Sequence, residues 1–73
     1  MTNTSPRYQI CVETDDATLH EGTPCGNNLM IATSVARRLA TKSPAFDAVR
    51  YIVWDTKADL AKFEARVPGR KVA

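Results

Sequence analysis

Apolar residues recur at two different periods along this chain of 73 residues. Tyr8, Ile10 and Val12 take every second position between residues 8 and 13, which is the period of a half-buried strand facing a core. Residues 48–54 are β-branched or aromatic at most positions, so they predict a second, more buried strand at the centre of a sheet. Turn residues fill most of 14–26 and predict a loop, with a short extended piece at 18–20 that would add a third strand.

Helical spacing follows over residues 29–42, where an asparagine pair at 27 and 28 offers an N-cap and Ser43-Pro44 ends the helix. The apolar face predicted for this helix consists of Leu29, Ile31, Ala32, Val35, Ala36, Leu39 and Ala40.

A second helix is predicted over residues 56–66. Asp55-Thr56 offers an N-cap, Leu60, Phe63 and Val67 mark one face, and Pro68-Gly69 ends the segment. The predicted fold is therefore a small α+β domain in which two helices pack against a sheet of two or three strands.

The same pattern divides the chain into an N-terminal arm at residues 1–6, a single domain at 7–67 and a basic tail at 68–73. The net charge is only +2, but it is unevenly distributed. Residues 1–25 hold one base against four acids, whereas residues 26–73 hold nine bases against four acids. Such asymmetry bears on binding partners more than on the fold.

No set of residues in the sequence is suited to catalysis, so an enzyme is not expected. His20 is the only histidine, and it lies in an acidic, turn-rich segment between Cys11 and Cys25. A nucleophile, a base and a group that orients the base are not evident among these residues. They supply at most three zinc ligands where a structural site needs four, so neither a metal nor a cofactor is expected. We also expect two reduced thiols rather than a disulfide.

The acid-free stretch at residues 22–46 is the feature that folding alone does not explain. On a helical wheel, Arg37 and Arg38 lie opposite the apolar face, with Lys42 near the end of the helix and Met30 on the same outer side. An uncompensated basic face with an exposed methionine suits contact with phosphates or with an acidic protein. The alternative is a solvated face whose cations favour the helix C-terminus.

A nucleic-acid-binding module is the second functional hypothesis. Tyr8 or Trp54 would stack on bases, and the basic tail would contact phosphates. Both aromatics also fit strand patterns that place them in the core or on the sheet, and no helix-turn-helix is evident.

Taken as a whole, the chain resembles the very small transcription regulators of lytic Xanthomonas bacteriophages. The resemblance covers the Asn-Thr-Ser-Pro-Arg-Tyr-Gln-Ile start, the Ala-Arg-Arg-Leu-Ala helix segment and the Pro-Gly-Arg-Lys end. It implies a protein that binds host RNA polymerase, disfavours the sigma-bound holoenzyme at initiation and promotes read-through of intrinsic terminators.

The same resemblance implies contacts with the N-terminus of the largest polymerase subunit and the flap of the second, beside the nascent RNA. The expected site residues are Arg7, Met30, Arg37, Arg38 and Lys42. The sequence shows neither an apolar leader nor a membrane span, so we expect the chain to stay in the cytosol, which under the resemblance is the cytoplasm of the bacterial host. We also expect a monomer.

Overall fold

The computed structural model describes residues 6–69, which form a four-stranded antiparallel sheet with one helix on one of its faces. The strand order is β2-β1-β3-β4, so β1 and β3 are central. Residues 1–5 of the predicted arm (1–6) and residues 70–73 of the predicted tail (68–73) lie outside the described residues. The elements in chain order are β1 Tyr8–Thr14, β2 Leu19–Pro24, α1 Leu29–Lys42, β3 Ala48–Asp55 and β4 Leu60–Arg66.

The two strands predicted from alternation and β-branched composition are confirmed as β1 and β3, which pair directly. Ile10 lies opposite Val53, and both are buried on the face that α1 covers. Tyr8 and Val12 take the same face of β1, as their spacing predicts. The prediction that β3 is an inner strand is also confirmed.

The first helix is confirmed over the predicted residues, but it is rotated relative to the predicted face. Asn28 is its N-cap, and the asparagine side chain accepts hydrogen bonds from the amides of Met30 and Ile31. The row that reaches the sheet is formed by alanines, which allow the helix backbone to lie close to the strands. Ile31, predicted to be buried, is instead 57% exposed. The buried row is Ala32, Ala36 and Ala40, flanked by Val35 and Leu39.

The second helix predicted at residues 56–66 is wrong, because the chain turns after β3 and returns as β4. Asp55 accepts hydrogen bonds from the amides of Lys57 and Ala58, both at 3.0 Å, as a helix N-cap would. Asp59 then adopts a left-handed conformation with φ of 58°, and its amide bonds to the Asp55 carbonyl. A left-handed residue cannot continue a right-handed helix, so the turn closes a hairpin instead.

The apolar spacing of this segment fits a strand as well as a helix. Phe63 and Ala65 face the core opposite Val53 and Tyr51, and Val67 continues the same two-residue period. Leu60, predicted to lie on the buried helix face, is 44% exposed. The predicted fold of two helices on two or three strands is therefore corrected to one helix on four strands.

The segment predicted to be mostly loop contains the edge strand β2, which begins in the extended piece predicted at 18–20 and continues to Pro24. Its pairing with β1 is interrupted by a bulge, since Ile10 lies opposite Thr23 and Val12 opposite His20. Gly22 lies in this bulge, where a β-carbon would overlap the Ile10 carbonyl oxygen. The backbones therefore approach more closely than any larger residue would allow, and the loop composition of the segment concealed the strand.

Candidate binding surfaces

A groove runs along the outer side of α1 and joins the exposed methionine to one of the predicted arginines. The alanine row faces the sheet, and Met30 lies on the other side of the helix, where it is 78% exposed. The groove has a volume of about 360 Å³. We call it the helix groove, and its lining residues are Met30, Ile31, Ser34, Val35 and Arg38.

The four predicted cations of the described chain lie in different surroundings. Arg38 lines the helix groove, and Lys42 is exposed in the last turn of α1. Arg37 instead lies over the Phe63 ring, with its guanidinium carbon 5.1 Å from the ring centre. This cation–π contact ties α1 to β4, and it was hidden from the sequence because Phe63 was assigned to a helix.

Arg7, predicted to contact a partner molecule, is bound to an acid of this chain. Its Nε and Nη2 atoms donate to both carboxylate oxygens of Asp55 at 3.0–3.2 Å. The Arg7 guanidinium lowers the pKa of Asp55 to about 2, with a smaller contribution from the Lys57 and Ala58 amides. Asp55 in turn raises the pKa of Arg7. Since this pair joins the start of β1 to the end of β3, Arg7 stabilises the fold and is a weak candidate for partner contact.

The basic side of α1 stays uncompensated in the part of the chain that the structure describes. The ion pairs among residues 6–69 have Arg7 or Arg50 as the cation, and none of them involves Arg37, Arg38 or Lys42. Arg38 therefore brings an unpaired charge to the edge of an apolar groove, which is the combination predicted from the acid-free stretch.

The opposite face of the sheet is not covered by α1. Arg50 of β3 crosses it as the centre of a charged row, bonded to Glu13 of β1 and to Glu64 of β4, the latter at 2.6 Å. Both contacts raise the pKa of Arg50, the Glu13 hydrogen bond most strongly. One guanidinium shared by two carboxylates leaves the row with a formal charge of −1, and both carboxylates have a cationic partner.

Beside that row, the uncovered face contains a hollow of about 190 Å³. Trp54 lines it from β3 and is half-buried, whereas Tyr8, the other proposed stacking residue, is 6% exposed on the core side. The stacking hypothesis is therefore wrong for Tyr8 and remains open for Trp54. We call this feature the open-face hollow, and its lining residues are Gln9, Cys11, Leu19, His20 and Trp54.

Sequence reasoning missed the open-face hollow because it depends on the edge strand β2. Gln9 and Trp54 are register partners, and the alternation of each strand places them on the face away from α1. Leu19 and His20 complete the hollow only because β2 pairs with β1. The sequence predicts an extended piece at 18–20 but neither its pairing partner nor its register.

Cys11, His20 and Cys25 do not form a metal site. Cys11 lines the open-face hollow, whereas Cys25 packs against the core, and both are free thiols. Among residues 6–69, no three histidine, cysteine, aspartate or glutamate side chains are placed to hold a metal ion.

Comparisons with family models, curated proteins and solved structures give no match to this chain. Within the described residues, α1 is too short and too polar to cross a membrane. The two surfaces above are therefore interpreted from their own geometry.

Proposed function

We propose that this protein is a non-enzymatic regulator of transcription that docks on bacterial RNA polymerase through the helix groove. Docking would disfavour the sigma-bound holoenzyme at initiation and promote read-through at intrinsic terminators, as the resemblance to the small phage regulators implies. The observation that carries the docking surface is the exposure of Met30 beside the unpaired Arg38.

The chemistry of the helix groove favours a protein partner with apolar and acidic side chains. Met30 and Ile31 offer apolar surface that is exposed in the monomer, and methionine adapts its shape to a partner. Arg38 provides a fork of donors for a carboxylate, and arginine is enriched where interfaces are strongest. The apolar residues would supply affinity, while Arg38 and Lys42 would orient an acidic partner.

The absence of acids between residues 22 and 46 supports the same partner. Helix stability does not require a stretch without acids, since cations near the C-terminus stabilise a helix with or without nearby acids. An acidic surface, however, would be repelled by any carboxylate at the rim of the groove.

The test is recovery of polymerase from nuclease-treated bacterial lysate by immobilised protein, followed by affinity measurement with purified core enzyme. We expect the wild-type protein to retain polymerase subunits after nuclease treatment. Arg38→Glu combined with Met30→Ser should weaken binding at least about ten-fold, because it removes both the apolar anchor and the charge complementarity. Read-through of an intrinsic terminator in vitro should fall in parallel.

Arg66→Glu is the matched control, since Arg66 is an exposed arginine on β4 and its reversal changes the net charge equally. It should bind polymerase as the wild-type protein does. Arg37 is left unchanged because its contact with Phe63 supports the fold. Failure of the wild-type protein to retain polymerase would eliminate the transcription proposal, and equal binding by the double variant would eliminate the helix groove as the docking surface.

A further inference from the structure

We propose that the open-face hollow binds an unpaired nucleobase, presented either by single-stranded RNA or by a free nucleotide. The hollow lies on the face of the sheet away from α1, so this proposal does not depend on polymerase docking through the helix groove.

Trp54 supplies a flat aromatic surface at the hollow. It is half-buried and lies directly opposite Gln9 in the β1–β3 register, so its position is held by the central strand pair. Cys11, which is 5% exposed, is the most buried of the lining residues. A tryptophan ring beside this closed surface is suited to stacking, and every base has a π-face to offer.

Two polar side chains distinguish this hollow from a purely apolar one. The Gln9 amide offers both a donor and an acceptor, and the His20 imidazole has two ring nitrogens for hydrogen bonding. The edge of a nucleobase presents donors and acceptors in its own plane, next to the stacking face. A hydrocarbon ring would fill the same space but leave these groups without partners, which costs free energy when they are desolvated.

The size of the hollow limits the ligand to a single ring system. Its volume of about 190 Å³ is below the roughly 300–1,000 Å³ of sites that enclose drug-sized ligands. None of the five lining residues carries a carboxylate that would repel a phosphodiester. Glu13, on the same face, is already bonded to Arg50.

The β3–β4 hairpin, which contains Trp54, has two exposed cations that would contact the phosphate of the ligand. Lys57 lies in the turn that follows β3, and Lys62 adjoins Ala61, the register partner of Trp54. Proteins that bind single strands combine cations that contact the phosphates with aromatic side chains that stack on the bases.

Trp54 is the only tryptophan in the chain, so its fluorescence reports occupation of the hollow directly. The full protein is titrated with adenosine and uridine monophosphates, with single-stranded hexaribonucleotides and with a duplex of the same sequence. We expect saturable quenching by the single strands and no quenching by the duplex. If the natural source is RNA, the hexamers bind more tightly than the monophosphates and weaken as salt rises. If it is a free nucleotide, monophosphates and hexamers bind alike.

Gln9→Ala and His20→Ala keep the fluorophore and should each weaken base binding roughly ten-fold, with unchanged circular dichroism. Arg38→Glu, in the helix groove, is the control and should titrate as the wild-type protein does. The proposal is overturned if no nucleotide or single strand quenches Trp54, if both hollow variants titrate normally, or if N-acetylphenylalanine amide quenches with the affinity of the bases. None of these results depends on whether polymerase is recovered from lysate, so the two proposals fail separately.

Discussion

At the residue scale, Asp55 links three parts of the chain through one buried carboxylate. Its side chain is fully buried, receives two hydrogen bonds from the turn after β3 and binds Arg7 at the start of β1. A buried charge is tolerated only when such partners compensate its lost hydration. The Arg7 side chain is 42% exposed, so it brings a partly hydrated cation to a carboxylate that is itself shielded from solvent.

The Arg7–Asp55 pair predicts a stability that depends on pH in a defined window. The pKa of Asp55 falls from about 3.8 to about 2 on folding, so its contribution is complete above pH 4 and is lost as the pH falls to 2. Arg7→Ala should lower the melting temperature by on the order of 10 °C at pH 7, because it leaves the buried carboxylate without its cation. The gap between variant and wild type should shrink as the pH falls from 4 to 2.

Thermal melts by circular dichroism between pH 2 and pH 7 measure this gap, with Arg66→Ala as an exposed-arginine control that melts close to the wild type throughout. A gap of the same size at pH 2 and pH 7 would show that Arg7 acts by packing on Tyr8, 5.4 Å from its ring centre, rather than through Asp55.

At the element scale, the turn at residues 56–59 decides the fold, and it is also where the sequence misleads. The side chain of Asp55 accepts hydrogen bonds from the next amides in the chain, and both helix starts and tight turns show this pattern. An aspartate before a polar residue is therefore typical of either structure in a sequence. Asp59 resolves the choice by adopting the left-handed conformation, which aspartate tolerates better than most residues. That conformation depends on tertiary pairing of β4 with β3, which a local pattern does not contain.

The hairpin makes a prediction that separates the two folds. A helix would bury Leu60 and Phe63 on one face, whereas the strand packs Phe63 against the core and leaves Leu60 44% exposed. Phe63→Ala should therefore cost roughly 2–3 kcal/mol, below the range for a fully buried phenylalanine because the ring is only half-buried. Leu60→Ala should cost less than about 0.5 kcal/mol.

Urea unfolding of the two variants measures both values. Equal losses for the two variants would contradict the strand and restore the helix prediction for this segment.

The sequence predicts β1, α1 and β3 well because each has a long, regular period that core burial enforces. For β2 it finds only the extended piece at 18–20 and misses the rest of the strand, where the close backbone approach requires Gly22, a residue that is otherwise typical of turns. For the binding surfaces, it correctly places Met30 and Arg38 together on the outer side of α1. It could not foresee that Arg7 and Arg37 have structural partners, because Asp55 and Phe63 are distant from them in the chain.

At the scale of the whole molecule, the sheet separates two surfaces of different chemistry. The helix groove is apolar and basic, and the open-face hollow is aromatic and polar and is lined by no carboxylate, lysine or arginine. Between them lie the buried alanines of α1 and the inner residues of β1 and β3. A partner bound at the helix groove would therefore leave the opposite face of the sheet accessible.

This separation predicts that the two surfaces act independently. Residues that share no partner usually change binding or stability additively, to within about 0.5 kcal/mol, whereas residues in one network do not. The wild-type protein, Arg38→Glu, Trp54→Leu and the double variant form a cycle that measures the coupling. Polymerase affinity should change only with Arg38→Glu, and the affinity for a fluorescently labelled single strand, followed by anisotropy, only with Trp54→Leu. A coupling above about 1 kcal/mol in either measurement would mean that the partner or the RNA spans both faces, and the two surfaces would then be one site.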